Sequence, residues 1–477
     1  SATAGAYEIA NSCRFNDGDD PYMQKTPGSA GNRDRWTFSC WFKRGTLSSV
    51  SGVSQYIFTQ SKTSSIYALI GFNTSDQINF DNQNSGDIGQ LVTARKLRDC
   101  SAWYHLTVIW DSANGTAGDR YQIWINGVRE TVFATNTGVD SGEDSMMNRD
   151  DTPMSIGAVA WAGTSWSNEF DGYLAECVFI DGLALAPTSF GEFDSDSPAI
   201  WKPIDVSGLT FGTNGFYLDF EASDNLGNDA NGGTDLTEVN LAATDQATDT
   251  PTNNFCTGNP LANYHAGGTY SEGNCKWVSG GTAGGNTLYN ISTVGVTAGK
   301  WYCEVKMKQS NTSMIGITDK EQPDSSEAMT QSNYAAAYKS NDGKYIVNAG
   351  SATTYGDSYT TDDIVGIYID LDNNKLYFGK NGTVQNSGTG ITITGISAMT
   401  SPAAGSQGCY FIGGTKDNGG STFEYNFGGC SAFTVSSANS DANGYGNFEY
   451  DPSSGTFDSA SKDFLAICTK NLGSDGG

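Results

Sequence analysis

The chain has 477 residues, 37% of them hydrophobic and 12% aromatic, enough to build more than one sizeable core. Its formal net charge of −27 repels phosphate backbones and argues against nucleic acid as a partner. No apolar run is long enough to span a membrane. The 59 glycines, with Asn, Asp, Ser and Thr crowded between apolar runs, are the composition of short strands joined by turns.

In chain order, the opening SATAGAYEIANS lacks a basic segment followed by an apolar core, so it does not read as a secretory signal. A chain made in a cytoplasm and not exported by the general route is expected. Alternating runs follow: Trp36–Lys43 (WTFSCWFK), Tyr104–Trp110 (YHLTVIW), Tyr121–Val128 (YQIWINGV, closing on an Asn126-Gly127 turn) and Tyr173–Ile180 (YLAECVFI). Apolar side chains at every second position are the pattern of half-buried strands, and this spacing of turns suits an antiparallel sandwich or jelly roll. From about Phe190 to Tyr264 the texture turns to Asp, Asn, Gly and Thr, which reads as an extended connector; Phe211, Phe216, Tyr217, Leu218 and Phe220 offer a hairpin that docks on a domain.

Strand patterns resume near Tyr270, with Lys300–Met307 (KWYCEVKM) and Met314–Thr318 (MIGIT). The run Asp363–Gly379 (DIVGIYIDLDNNKLYFG) predicts a hairpin turning at Asn373-Asn374. Cys409–Gly413 and Thr422–Phe427 follow, and Phe464–Leu472 suits either a strand or a short helix. The expected class is therefore all-β: two antiparallel sandwich domains at 1–195 and 265–477, joined by a connector over 196–264. None of the ten cysteines forms a CxxC pair, and several lie inside strand patterns, as Cys40 and Cys177 do, so mostly free thiols are expected.

Three resemblances rest on these residues. Phe15–Met23 (FNDGDDPYM), Trp36–Lys43, Trp110–Val128 and Phe170–Leu185 (FDGYLAECVFIDGLAL), in this order, resemble the laminin-G/concanavalin-A-like superfamily. GKWYCEVKM, MIGIT, DIVGIYIDLDNNKLYFGKNG and FEYNFGG resemble the SPRY fold. AYEIANSCRFNDGDD, PTNNFCTGNPL, FEYDPSSGTF and FLAICTKNL resemble tailed-phage structural proteins, especially those of marine phages. The last resemblance implies a virion-surface location, other virion proteins as partners and a homo-oligomer, although no heptad segment supports a trimeric stalk.

Catalysis finds little support in the residues. Retaining glycosidases need two carboxyls about 5 Å apart, and the nearest spacing, Glu321, Asp324 and Glu327, is broken by Pro323. The two histidines, His105 on the expected solvent face of a strand and His265 in a Gly-rich loop, lie near no G-x-S-x-G elbow. GTAGG at 281–285 is not followed by a Lys-Ser pair, which excludes a phosphate loop. A non-enzymatic binding protein is expected.

Calcium is the one cofactor the residues suggest, at Asp17, Asp19 and Asp20, with Asp150, Asp151 and Asp171 in the same domain; a solvated acidic turn is the alternative. For a ligand, Trp161, Trp166 and Asn168 in AWAGTSWSNEF suit an exposed recognition loop, and packing inside the sandwich is equally open. In the second domain, loops 318–332 and 348–361 with Tyr334, Tyr338, Tyr355 and Tyr359 suit a tyrosine-rich binding surface, unless these are strand residues. The readings left open are a host-binding fibre or head fibre, a passive decoration protein, and, last, a glycan hydrolase.

Overall fold

The structure is a computed structural model that describes residues 7–262, 268–279, 288–309, 312–320, 329–331, 334–399, 406–416 and 420–475. Among these residues only two short α-helices occur, Ser48–Ser51 and Thr469–Asp475; the rest is strands, turns and 3-10 segments, which makes the protein all-β. It divides into two compact units, one closing at Thr252 and one opening at Asn253.

The first unit is a sandwich of two eight-stranded antiparallel sheets. One runs, edge to edge, through Val128–Arg129, Tyr121–Ile125, Trp103–Asp111, Arg35–Arg44, Gly172–Asp181, Ser12–Phe15 and Gln246–Ala247, with Phe216–Leu218 paired to Gly172–Asp181. The other runs through Phe133–Thr137, Asp87–Lys96, Gln77–Asn84, Ile66–Phe72, Gln55–Thr63, Met154–Ile156, Tyr22–Lys25 and Thr237–Val239. The alternation in WTFSCWFK sends Trp36, Phe38, Cys40 and Phe42 into the core, where Phe38 stacks on Phe58 at 4.5 Å. Trp41, out of phase with them, lies on the reverse face against His105. The Asn126-Gly127 turn forms as expected, with φ of +49° and +72°.

The connector expected over 196–264 is not one. Phe216–Leu218, Thr237–Val239 and Gln246–Ala247 each add to a sheet of the first unit, and Phe216, Leu218, Phe220, Leu226 and Leu236 lie in its core. The Asp, Asn, Gly and Thr between these residues serve as turns of a wrapping segment. Beyond Asn253 the chain belongs to the second unit, where Phe255 bridges to Cys468.

That second unit packs a nine-stranded against a six-stranded sheet. In KWYCEVKM, Trp301, Cys303 and Val305 point between the sheets, while Tyr302 and Glu304 point outward. The outward face is covered by Phe448, Phe457 and Phe464 from the C-terminal segment, forming a second apolar layer with Tyr302, Tyr368 and Tyr377. The predicted hairpin forms with Ile367 opposite Phe378, Ile369 opposite Leu376, and Asn374 at φ +55°. Phe464–Leu472, read as either a strand or a short helix, holds one of each: the strand Leu465–Ala466 and the start of the helix Thr469–Asp475.

Candidate functional site

The aromatic residues singled out in the first unit lie on a hairpin, Val159–Trp161 paired with Ser165–Ser167, reversed by Ala162 (φ +54°) and Gly163 (φ +71°). Ala160 faces Trp166 and Trp161 faces Ser165 across the pair, so the two tryptophans lie on opposite faces. Trp161 is an anchor: with Val159 it packs on Tyr56, Leu69 and Tyr67, and its ring meets Tyr67 edge-on at 5.5 Å. Asn168 is occupied structurally. Its Nδ2 donates to the Ser54 carbonyl at 3.0 Å, and its Oδ1 accepts from Trp161 Nε1 at 3.3 Å and Ser167 Oγ at 3.0 Å. Trp166 lies outside that packed cluster; it is half-buried, as Trp161 is, and stacks on half-buried Tyr22 with ring centroids 3.6 Å apart. Tyr22 had no signal beyond its place in FNDGDDPYM; the strand Tyr22–Lys25 brings it to the hairpin.

The acidic turn does not assemble a metal centre. Asp17–Asp19 is a short 3-10 turn, Asp19 Oδ2 accepts from Asn16 Nδ2 at 2.8 Å, and Asp20 sits at φ +53°. Among the described residues no group of three or more His, Cys, Asp or Glu converges as a metal site, which corrects the calcium expectation at Asp17, Asp19 and Asp20. Asp151 is held by Lys62 and Arg149, each at 2.6 Å, and their hydrogen bonds depress its pKa. Buried Asp171 faces Asp17, and burial followed by that neighbouring carboxylate pushes its pKa well above the usual range.

His105 is not on a solvent face. It is 1% exposed, because the hairpin of Gly191–Phe193 and Trp201–Pro203 covers the reverse side of the sheet. Trp201 Nε1 donates to its Nδ1 at 3.1 Å and Ser39 Oγ lies 2.8 Å from its Nε2, which fixes a neutral ring protonated at Nε2. Burial pushes its pKa down to about 3.

In the second unit the tyrosine-rich surface is corrected as well. Tyr338, Tyr355 and Tyr359 are core residues. Tyr338 stacks on Phe378 at 5.1 Å and its hydroxyl donates to the Asp357 carbonyl; Tyr359 donates to the Tyr338 carbonyl at 2.8 Å; the Tyr355 hydroxyl accepts from Phe378 N–H at 3.1 Å. Tyr334 is half-buried against the same core. His265, the spacing Glu321–Asp324–Glu327, GTAGG at 281–285 and most of loop 318–332 lie outside the described residues.

Sequence reasoning also passed over two buried carboxyls. Glu304 accepts four hydrogen bonds: from Tyr302 Oη at 3.0 Å, Asn426 Nδ2 at 3.0 Å, and the backbone N–H groups of Glu449 at 3.0 Å and Tyr450 at 2.7 Å. Burial nevertheless raises its pKa to about 7. It pins the C-terminal segment to the outward face of its sheet. Glu176, at φ +49° in a bulge of Gly172–Asp181, accepts from Tyr217 at 2.8 Å and Tyr7 at 3.2 Å, and burial raises its pKa to about 7. Both carboxyls hold structural elements in place.

Comparison with known proteins agrees with this architecture. Residues 17–186 match the concanavalin A-like lectin/glucanases superfamily, and residues 300–406 match the SPRY domain. No curated protein matches the chain. Among solved structures, the SPRY domain of human HERC1 is 15% identical, with 37% of this chain and 99% of that one covered and a TM-score of 0.26. A protein described as a candidate carbohydrate binding protein from Bacteroides ovatus is 16% identical, covering 49% and 58%, with a TM-score of 0.34. A heptameric SAP-like pentraxin from Limulus polyphemus is 14% identical, covering 38% and 80%, with a TM-score of 0.26. The chain thus carries a concanavalin A-like domain followed by a SPRY domain.

Proposed function

We propose that the chain is a non-enzymatic binding protein of a tailed-phage virion surface, a fibre or other appendage that engages a host-surface glycan or protein through the loops and hairpins around its sandwiches. The observation that supports binding is the half-buried Trp166–Tyr22 stack on a hairpin of the concanavalin A-like domain. Flat aromatic rings at a protein surface offer the apolar faces on which sugar rings stack. The virion assignment rests on the resemblance of AYEIANSCRFNDGDD, PTNNFCTGNPL and FLAICTKNL to tailed-phage structural proteins. Binding is favoured over catalysis because three strongly shifted groups, His105, Glu176 and Glu304, are buried and committed to structural hydrogen bonds.

Glycan-array binding of the intact protein, with Trp166→Ala beside it, tests the reading. Binding that disappears in the variant while its melting temperature holds supports it. A second reading, a passive decoration protein, is favoured by the burial of Tyr338, Tyr355 and Tyr359, which withdraws those residues from recognition. Absence of glycan and host-protein binding, with the protein imaged as part of a regular capsid or tail lattice, would establish that alternative.

A further inference from the structure

A cavity of about 220 Å³ opens in the first unit, away from the Trp166 hairpin, where the chain leaves one sheet at Val128–Arg129 and enters the other at Phe133–Thr137. Leu91, Tyr121 and Phe133 give it apolar surface; Arg129, Glu130 and Asn136 give it polar groups. Its walls are fixed in advance. Arg129 pairs with Asp119 at 2.6 Å and donates to the Gly118 carbonyl at 2.5 Å, and Gln122 Nε2 donates to the Asp119 carbonyl at 3.0 Å, which together hold the turn 117–119 against the opening. The Tyr121 hydroxyl lies 3.0 Å from Asn136 Oδ1 and also meets the Gln90 and Thr137 carbonyls, which ties the strand Phe133–Thr137 to this wall.

Glu130 is the unusual member. It is 7% exposed, and the one polar contact of its carboxylate among the described residues is Arg95 Nη2, 2.9 Å from Oε1. A buried carboxylate with spare acceptor capacity beside a cavity is a hydroxyl-binding group in waiting. Arg95 balances Glu130 and Arg129 balances Asp119, so the cavity presents polar groups without a net charge to attract an ion.

We propose that this cavity binds one neutral sugar ring, its hydroxyls taken by Glu130 and Asn136 and its apolar face set against Phe133 and Tyr121. The preformed walls lower the ordering cost of such binding. The inference rests on the glycan-binding reading and adds to it a second site and a ligand size.

The test is titration calorimetry of the intact protein with glucose, galactose, mannose and N-acetylglucosamine, and with glucuronate as the charged control. At least one neutral sugar should bind in the millimolar range, with roughly tenfold or greater weakening in both Glu130→Gln and Asn136→Ala and no change in Trp166→Ala. Gly138→Phe serves as a variant that leaves the buried residues unchanged, since a Cβ at this rim position meets nothing within 4 Å; its ring should also abolish binding. Binding unchanged in all three cavity variants but lost in Trp166→Ala would overturn the cavity while leaving the glycan reading intact. Tighter binding of glucuronate than of every neutral sugar would overturn the neutral class. No monosaccharide binding at all would overturn the cavity, whereas failure of the glycan reading would appear separately as an empty array.

Discussion

Two aromatic clusters with similar local sequence have opposite fates. Trp161 and Trp166 lie in AWAGTSWSNEF, and Tyr355 and Tyr359 in the equally polar TTYGDSYTTDD. Trp166 ends half-buried, stacked on Tyr22, whereas Tyr355 and Tyr359 are 5% and 2% exposed in a core built with Tyr338 and Phe378. Local polarity does not decide whether an aromatic residue is displayed. What decides it is whether another element supplies a hydrophobic wall, as the hairpin Ile364–Asp370 and Lys375–Lys380 does for the tyrosines.

The difference should be large in stability and reversed in binding. Tyr338→Ala removes a fully buried ring and leaves a cavity, and should cost about 3–5 kcal/mol in denaturant unfolding without acting on glycan binding except through unfolding. Trp166→Ala should cost about 1 kcal/mol or less and abolish binding to the array. A reversal of these two outcomes would break the distinction between core and surface.

Next in size come the groups that hold covering segments in place, one in each unit, with opposite pH signatures. Folded His105 refuses a proton down to about pH 3, whereas an ordinary histidine accepts one near 6.5. Its contribution is therefore complete above pH 6.5 and is lost progressively as pH falls below it. The stability gap between the parent and His105→Gln should shrink on acidification toward pH 4. Folded Glu304 keeps its proton up to about pH 7 rather than 4.5, so its contribution grows as pH falls from 7 toward 4.5, by about 3 kcal/mol at most. The gap between the parent and Glu304→Gln should widen over that window in thermal melts. Gaps that move together would contradict these assignments.

The smallest effect is a gain. Asp171 is buried beside the Asp17 carboxylate with its pKa raised, so its charge weakens the fold as pH rises above the usual carboxylate range. Asp171→Asn should stabilise the protein at pH 7 by about 1 kcal/mol, and the gain should fade toward pH 4. A loss at pH 7 would mean that the charge is used, for instance by a bound cation.

Much of the fold was legible because alternation is a local property. WTFSCWFK and KWYCEVKM gave the inward faces, and Asn126-Gly127 and Asn373-Asn374 gave the turns. The boundary at Thr252 was not legible, because the Asp- and Asn-rich stretch conceals single strands such as Phe216–Leu218 whose partners lie dozens of residues away. The site was less legible still. His105 had the sequence position of an outward residue, and the return of Phe190 and Trp201 over that face, beside Trp41, buries it. The cavity beside Glu130 is closed by strands of two different sheets, and its one local signal is a charged pair, Arg129-Glu130, directly after a hairpin turn.

Hydroxyl-radical footprinting of the native protein, with and without a bound glycan, tests the display of the first cluster and the burial of the second most directly. Trp166 and Tyr22 should be oxidised in the free protein and protected by the ligand, while Tyr338, Tyr355 and Tyr359 stay unlabelled in both states. Labelled tyrosines in the second unit, or a Trp166 whose labelling ignores a bound glycan, would contradict the account.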